Sequence, residues 1–489
     1  MKLLKSIYFA SVFFTSSAYS QGFDDIARYS QTGVGGSAFS SGMGGAVGAL
    51  GADFTCSNIN PAGIGLFRKS EFAGSAAIFN YSNNSKFYGV ETRDRKFNFN
   101  IPNLNLVLHF PSVNRLKTTG WLSSTLAFGF NRSNSLHQQF TVRGINTDGS
   151  IVNAFANEAG NIEPSKLQNS FPYSADLAWN SYLIDTITNS NGNLGYTSFS
   201  GPVNGGVTQR DHIESTGKFS ESSLAFAANH SNKLYIGASV GIRRIVYDEI
   251  RTYSETNLTD SIINFNNLEY TTNKKDKGTS FTFHLGAIYR VKDWLRLGAA
   301  ATIPLDFSIN RFYSSNINSS LSFGNYSFSS PEANYNYKLR QPARFTGSAA
   351  FIIKKNGTIS IDYETVNNAK NLLVSNDATY DNINDLISKR FSSSNNIRIG
   401  AEIRINDSYL RGGFQMIGSA LINKSAINQI NNFSIGGGYR VENYFFDVAY
   451  VLGLQKIQYY PYSPNLAKVN AADMKIQRHS LIFTIGSRF

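Results

Sequence analysis

The chain has 489 residues, of which 13% are aromatic but only 16% charged, well under the roughly 25% charged of soluble domains. Tyr (26) and Phe (37) far outnumber Trp (3), with abundant Gly (41) and scarce Pro (11), the composition of a β-rich protein with polar connections. One cysteine excludes an intrachain disulfide, and no run of eighteen apolar residues is present to form a transmembrane helix.

Residues 1–20 read as a secretory leader: Lys2 and Lys5, an apolar stretch around Ile7 to Phe14, and Ala18-Tyr19-Ser20 before a cleavage site at Gln21. The formal charge of +12 then points to anionic lipid head groups, because an exported chain rarely meets nucleic acid. Residues 21–69 are glycine-rich and irregular. Gly33-x-Gly35-x-x-Ala38 mimics a dinucleotide fingerprint, but no strand precedes it and no βαβ unit follows. Cys56 reads as a small buried hydrophobe. The stretch SNINPAGIGLF, Ser57 to Phe67, is turn chemistry. Pro61 fixes φ and pushes Asn60 away from the helical region, while Gly63 admits a positive φ.

From residue 70 onward, short segments alternate with period two, the mark of strands. Leu126, Phe128 and Phe130 share one face of the third strand, about 121–140, where Gly129 or the polar run starting at Asn131 is positioned to break pairing. The insertion at about 142–210 carries YSADLAWNSYLIDTI, whose apolar spacing predicts an amphipathic helix presenting Leu177, Trp179, Leu183 and Ile184 to an incoming apolar ligand. Phe281, Phe283, Leu285, Ala287 and Tyr289 alternate with Ser280, Thr282 and His284; Leu295, Leu297, Ala299, Ala301 and Ile303 alternate with smaller or polar residues. The last strand, RHSLIFTIGSRF, ends on Phe489.

Short connections fall at 231–233, 291–293, 354–357, 406–408 and 441–443, with a looser one around 111–120. Longer polar ones fall at about 82–95, 142–210, 253–275, 314–335, 373–393, 418–430 and 459–473. Six short and seven long connections in alternation make an all-β, fourteen-stranded antiparallel transmembrane β-barrel, apolar outside and polar or mixed within. The six histidines form no His-x-x-x-His pair, and His284 falls on the lumen face. No nucleophile elbow or phosphate loop is found. The expectation is a protein that is not an enzyme and uses no metal or cofactor.

Gly44-Gly45-Ala46, Asp53 and Asn60-Pro61-Ala62, placed between the leader and the first strand, resemble the N-terminal hatch of the FadL/TodX family of outer-membrane transporters for long-chain fatty acids and other hydrophobic compounds. The resemblance implies a hatch over 21–69 plugging the lumen of a barrel over 70–489 in the outer membrane of a Gram-negative-type bacterium. It implies passive uptake: capture by external loops, a lumenal pocket, and lateral exit through the wall. The gate would be the Asn60–Gly63 corner against a kink in the third strand at Gly129 or Asn131. Expected partners are hydrophobic small molecules, outer-membrane lipid and, through Phe489, the barrel-assembly machinery; nucleic acid is not among them. Some members of the family serve instead as structural subunits of secretion or assembly complexes, so a protein partner is the alternative expectation.

Overall fold

The computed structural model describes residues 25–489 except 27, 30–32, 34, 115–117, 199–205, 259–261, 355, 376–379 and 423–427. The leader at 1–20 lies outside the described residues.

Fourteen antiparallel wall strands follow in chain order. They are β1 Glu71–Phe87, β2 Val90–Pro111, β3 Trp121–Ser135 continued by Gln138–Asn146, β4 Val207–His230, β5 Leu234–Asn257, β6 Phe265–Lys292, and β7 Leu295–Pro304 continued by Phe307–Leu321. The circuit proceeds through β8 Ala333–Arg340 with Arg344–Ile353, β9 Gly357–Asn367 with Leu372–Val374, β10 Ser393–Ile405, β11 Ser408–Ile417, β12 Ile430–Val441, β13 Tyr444–Tyr459 and β14 Ala472–Arg488. Each pairs with the next, and β14 returns to β1 from Glu71↔Arg488 to Lys86↔Asp473, closing the barrel. Ser70 and Phe489 exchange two backbone hydrogen bonds at this seam (3.1 and 2.9 Å). Closure leaves the barrel no free sheet edge at its seam, which a membrane-spanning sheet requires.

The period-two pattern sorts the residues as the sequence predicts. On β6, Phe281, Phe283 and Leu285 are exposed while Ser280, Thr282 and His284 are buried. Exposed Trp121, Tyr289, Trp294, Tyr439 and Tyr444 gather near the tight-turn end, as an interfacial aromatic belt does. The tight turns hold positive φ at Ser231, Asn232, Lys354, Asn406 and Glu442, where Asn is the least strained non-glycine choice.

Three connections are shorter than the sequence suggests. Instead of a loop over 82–95, β1 and β2 pair out to Phe87↔Val90 around a two-residue turn, Tyr88-Gly89 (φ 45° and 84°). Likewise β5 and β6 pair out to Thr256↔Asn267, and β7 runs to Leu321 before turning into a short strand, Gly324–Ser329. β4, β5 and β6 have 24, 24 and 28 residues, more than twice the roughly 9–11 that cross a bilayer. Their outer ends leave the membrane, so no lipid face marks them and their polar residues read as loop.

These extended ends wall in a cap. Helices α1 Ile151–Ala159, α2 Pro164–Ser170 and α3 Ala175–Asn180, and the hairpin Ile184–Thr188 with Leu194–Ser198, share a buried apolar cluster with Phe87, Phe140, Tyr253, Tyr270 and Ile317. The helix expected over 173–187 is therefore reduced to six residues. Asn180 Nδ2 donates to the Asp176 carbonyl (2.8 Å) and Ser181 Oγ to that of Leu177 (2.7 Å), in competition with the helical ladder. Tyr182 then takes φ 58°, and β-branched Ile184, Thr186, Ile187 and Thr188 favour the extended form.

Candidate functional site

Residues Ser37–Phe67 run through the lumen and touch its wall on several sides. Ala38 N–H donates to Thr484 Oγ1 on β14 (2.8 Å), Gly48 N–H to Asp362 on β9 (3.0 Å), Ser434 on β12 to the Gly42 carbonyl (3.1 Å), and Ser239 on β5 to the Ser57 carbonyl (2.6 Å). Asp53 accepts from Ser37 Oγ (2.7 Å) and Thr55 N–H (2.8 Å), which staples the segment to itself; burial raises its carboxyl above the usual range despite these bonds. Cys56 is buried beside it, with burial first and the Asp53 charge second pushing its thiol up. Barrels this wide leave a lumen that their own side chains do not fill, and this segment occupies it.

The Asn60-Pro61-Ala62-Gly63 corner is a short 3-10 turn, Pro61–Leu66, capped by Asn60, whose Oδ1 accepts from Ala62 N–H (3.2 Å). Asn60 Nδ2 donates to the carbonyls of Gly48 (2.7 Å) and Ala287 (3.2 Å). A Cβ on Gly286 of β6 would lie 1.9 Å from Asn60 Oδ1, so wall and corner touch only because that wall residue is glycine. Gly63 is present for a different reason from the one its turn chemistry suggests. It holds no positive φ; a Cβ there would lie 2.9 Å from Cys56 Sγ. The corner thus seats on β4, β5 and β6, where pairing is unbroken.

The break in the wall lies elsewhere, between β2 and β3. Their pairing runs from Pro111↔Ser123 to Asn103↔Asn131 and stops. β3 then shifts register against β4 between Arg132 and Asn134, drops Leu136 and His137 from the ladder, and resumes at Gln138↔Ser215. β2 continues outward paired to β1 alone. Among the described residues, no ladder joins Val90–Pro102 of β2 to β3. Side chains bridge the interval instead: Lys96 Nζ to Glu214 (2.8 Å), Asn98 Nδ2 to Ser135 Oγ (3.3 Å), and Tyr81 O–H to the Ser135 carbonyl (3.1 Å). Asn131, singled out from the sequence, is the last β3 residue paired with β2; Gly129 sits in regular pairing opposite Asn105 and Ser223, under Phe54.

Against this break lies the glycine run that precedes the corner. A Cβ on Gly35 would fall 1.9 Å from the Arg132 carbonyl, and one on Gly33 3.1 Å from that of Ser133. A cavity of about 70 Å³ opens between this run and the wall, lined by Arg132, Ser133, Asn134, Gln415, Asn432 and Arg478, among others. These residues come from β3, β11, β12 and β14, and no local motif announces them.

Further out, Asp25, Arg28 and Tyr29 are seated on β5, β6, β7 and β8. Asp25 meets Arg28, Lys274 and Arg311; Arg28 faces Glu249 and lies over the Tyr247 ring; Tyr29 O–H donates to Asp276, and Gln341 Nε2 donates to its carbonyl. Burial alone would raise the Asp25 carboxyl, but Arg311, Lys274 and Arg28 together hold it well below the usual carboxylate range. The expected capture residues do not offer an open surface: Leu177, Leu183 and Ile184 are buried in the cap core and Trp179 packs against it. His284 is buried and polar-bonded, to Thr302 Oγ1 (3.0 Å) and Glu221 (2.7 Å).

No protein-family model matches the chain, and no curated protein matches its sequence. Its shape has counterparts among solved structures. The crystal structure of the toluene transporter TodX of Pseudomonas putida is similar at a TM-score of 0.53 and 13% identity, over 93% of this chain and 99% of that one. That of a FadL homologue of Pseudomonas aeruginosa is similar at 0.54 and 10% identity, over 94% and 99%. A deletion mutant of the TodX monoaromatic hydrocarbon channel gives 0.55 and 12%, over 93% and 98%. Over nearly its whole length the chain has the fold of the FadL/TodX outer-membrane barrels.

Proposed function

We propose that the chain is an outer-membrane channel for passive uptake of hydrophobic compounds, with residues 21–69 as its hatch and the β2–β3 break as its lateral exit. The observation that carries this reading is the coincidence of three features: an unpaired stretch of β2, an irregular β3 opposite it, and a glycine-rich lumenal segment in contact with that irregularity. Unpaired backbone within a membrane is tolerated only where protein or a cavity satisfies it, and a cavity lies there. The structural neighbours are described as carriers of toluene and monoaromatic hydrocarbons, and one as a FadL homologue, which supports an apolar cargo. Transfer from water into the bilayer supplies the driving force, with no energised step. The hatch would move at Gly33–Gly45, beside the break, while the Asn60–Gly63 corner anchors it to β4–β6.

The test is uptake of labelled toluene and of labelled oleate by cells whose outer membrane carries the wild type or Ser133→Trp, which fills the cavity at the break. Uptake by the wild type that the variant loses, with the barrel intact by heat-modifiability, supports the lateral route. Equal uptake by both moves the exit elsewhere, and none by either refutes a channel for these compounds.

One observation favours a structural or partner barrel instead. The outer lumen is filled by the cap and the Asp25 cluster, while Tyr182, Phe323 and Phe328 are exposed at the outer tip. Specific retention of a second envelope protein at that tip, lost on Phe323→Ser, together with absent uptake, would establish it.

A further inference from the structure

The outer surface of the wall, away from the lumen and the break, carries a basic patch on β4 to β8. Residues paired across neighbouring strands share a face, so the registers define successive outward rows. One row holds Arg244 and Lys338, linked through Thr279 and Ser308. The next row outward sets Lys218 and Lys277 on either side of Val246. The third sets Lys275 opposite Asp248. Five cations therefore stand with one carboxylate. Arg244, Lys275, Lys277 and Lys338 are exposed and Lys218 is half-buried. Among the described residues, none of the five makes an ion pair. Their neighbours do: Arg340, two residues on from Lys338, pairs with Asp306 (2.9 Å), and Arg243, on the lumen side of β5, pairs with Glu221 (2.9 Å). Like charges this close repel one another, so the patch gains most from an anion that sits among them.

The height of the patch says which anion. The two rows beneath it are apolar and exposed: Ile242 with Phe281, then Leu224 and Val240 with Phe283. On β6 the apolar band runs from Phe281 down to Tyr289, at the tight-turn end. The Thr279–Arg244 row lies ten residues from Tyr289. At about 3.4 Å per residue and a tilt of about 40°, that is about 26 Å along the membrane normal. The apolar band of such a barrel is about 25 Å tall, so Arg244 and Thr279 stand at its upper edge and Lys218 and Lys277 one row above. That is the head-group level of the leaflet on the long-connection side. We infer that the patch is a docking site for the phosphate groups of a phosphorylated glycolipid of the outer leaflet, a lipid of the lipopolysaccharide class. Its acyl chains would lie over Leu224, Val240, Ile242, Phe281 and Phe283. Arg244 is suited to bidentate pairing with a phosphate, and Lys218 and Lys277 supply point charges on either side. The inference rests on the outer-membrane placement of the barrel and not on the channel reading.

The experiment is equilibrium binding to full-length protein purified in dodecyl maltoside, with bisphosphorylated lipid A, its dephosphorylated form and phosphatidylglycerol as probes. The bisphosphorylated lipid is expected to bind at least about tenfold tighter than the other two. Removing one patch charge, as in Arg244→Gln, should weaken it about fivefold. The combination of Lys218→Gln, Arg244→Gln and Lys277→Gln should bring it down to the dephosphorylated level. Lys218→Arg with Lys277→Arg keeps the charge, should retain the affinity and guards against a folding artefact. Lys233→Gln, Lys292→Gln and Lys354→Gln together remove the same charge at the tight turns and should leave binding unchanged. The proposal is overturned if the dephosphorylated lipid binds as tightly as the bisphosphorylated one, or if the two triple variants behave alike. Phosphatidylglycerol binding as tightly as bisphosphorylated lipid A also overturns it, since the patch would then not select the outer-leaflet glycolipid. Uptake in cells is read separately: patch-dependent binding without uptake refutes the channel and leaves the site standing, and uptake without phosphate-dependent binding does the reverse.

Discussion

Gly35 is the most direct handle on the contact between the lumenal glycine run and the break. Its substitution by alanine places a methyl 1.9 Å from the Arg132 carbonyl oxygen and 3.3 Å from Ser133 Cα. Backbone oxygen cannot swing aside as a side-chain tip does, so segment and strand must part by about 1 Å, and overpacking of this kind costs about 1–3 kcal/mol. Two partners share the strain. β3 is unpaired from β2 beyond Asn131 and already shifts register at Arg132, whereas Ser37–Phe67 is bonded to several wall strands. The strand break should yield first. Hydrogen–deuterium exchange of the purified barrel is expected to quicken at 131–137 in Gly35→Ala while the corner at 60–66 stays protected. Conductance in planar bilayers should rise in parallel. Gly347→Ala is the control, since a Cβ there meets nothing within 4 Å. If Gly35→Ala exchanges and conducts like Gly347→Ala, the glycine run does not couple the lumenal segment to the wall.

Asn60→Ala removes two donated bonds and one accepted bond, worth about 2–3 kcal/mol together; faster exchange at 48–66 with the barrel strands unaffected is expected, and uniform exchange would show the corner to be no anchor. The Asp25 carboxyl is held below its ordinary 3.8 by Arg311, Lys274 and Arg28, against the opposing effect of burial. A lowered folded-state value contributes stability that is present above about pH 4 and fades as the pH falls below it. Protection at Asp25, Ile26, Arg28 and Tyr29 should therefore be constant from pH 7 to 5 and fall towards pH 3, and Asp25→Asn should show the acid behaviour at pH 7; a loss near pH 6 would implicate another group. Cys56 is buried with its thiol pushed up by burial, so maleimide at pH 8 should label it only after denaturation. Labelling of the native barrel would show that the lumenal segment opens on its own.

The wall was legible because two local signals sufficed for it. Alternation on β6, β7 and β14 follows from lipid on one side and protein on the other, and Asn406 or Asn232 in a tight turn follows from the cost of positive φ. Both signals fade at the outer ends. Residues 82–87 and 90–95 pair as regular strand around the Tyr88-Gly89 turn, yet the run Asn83 to Lys96 is largely polar and lacks the apolar alternation, so it reads as loop. The apolar residues of 173–187 gave a helical stripe that a turn and a hairpin serve equally well, because the cap needs them buried rather than on one face. The site had no local signal at all. Arg132, Gln415, Asn432 and Arg478 are spread over some 350 residues and meet only through barrel closure.

The cap and the lumenal segment are held by different kinds of contact. The cap is held by apolar burial, which is lost all at once if the cap lifts. The lumenal segment Ser37–Phe67 is also tied through its backbone to wall side chains, donating to Thr484 and Asp362 and accepting from Ser239 and Ser434. Each of these is worth only about 1 kcal/mol net, and water can replace it during a shift. Its firmest apolar contacts, Phe54, Cys56, Ile59 and Ile64 with Ala127, Ala225 and Ala227, lie at the β3–β4 side below the break. The stretch from Gly33 to Gly45 lies beside the cavity and is packed as well: Ala38 and Met43 are fully buried, Ala38 against Ala77, Ala449 and Ile482. Under the proposed channel reading, a shift of this segment would exchange its wall hydrogen bonds for water while its apolar contacts with the wall keep it in the lumen.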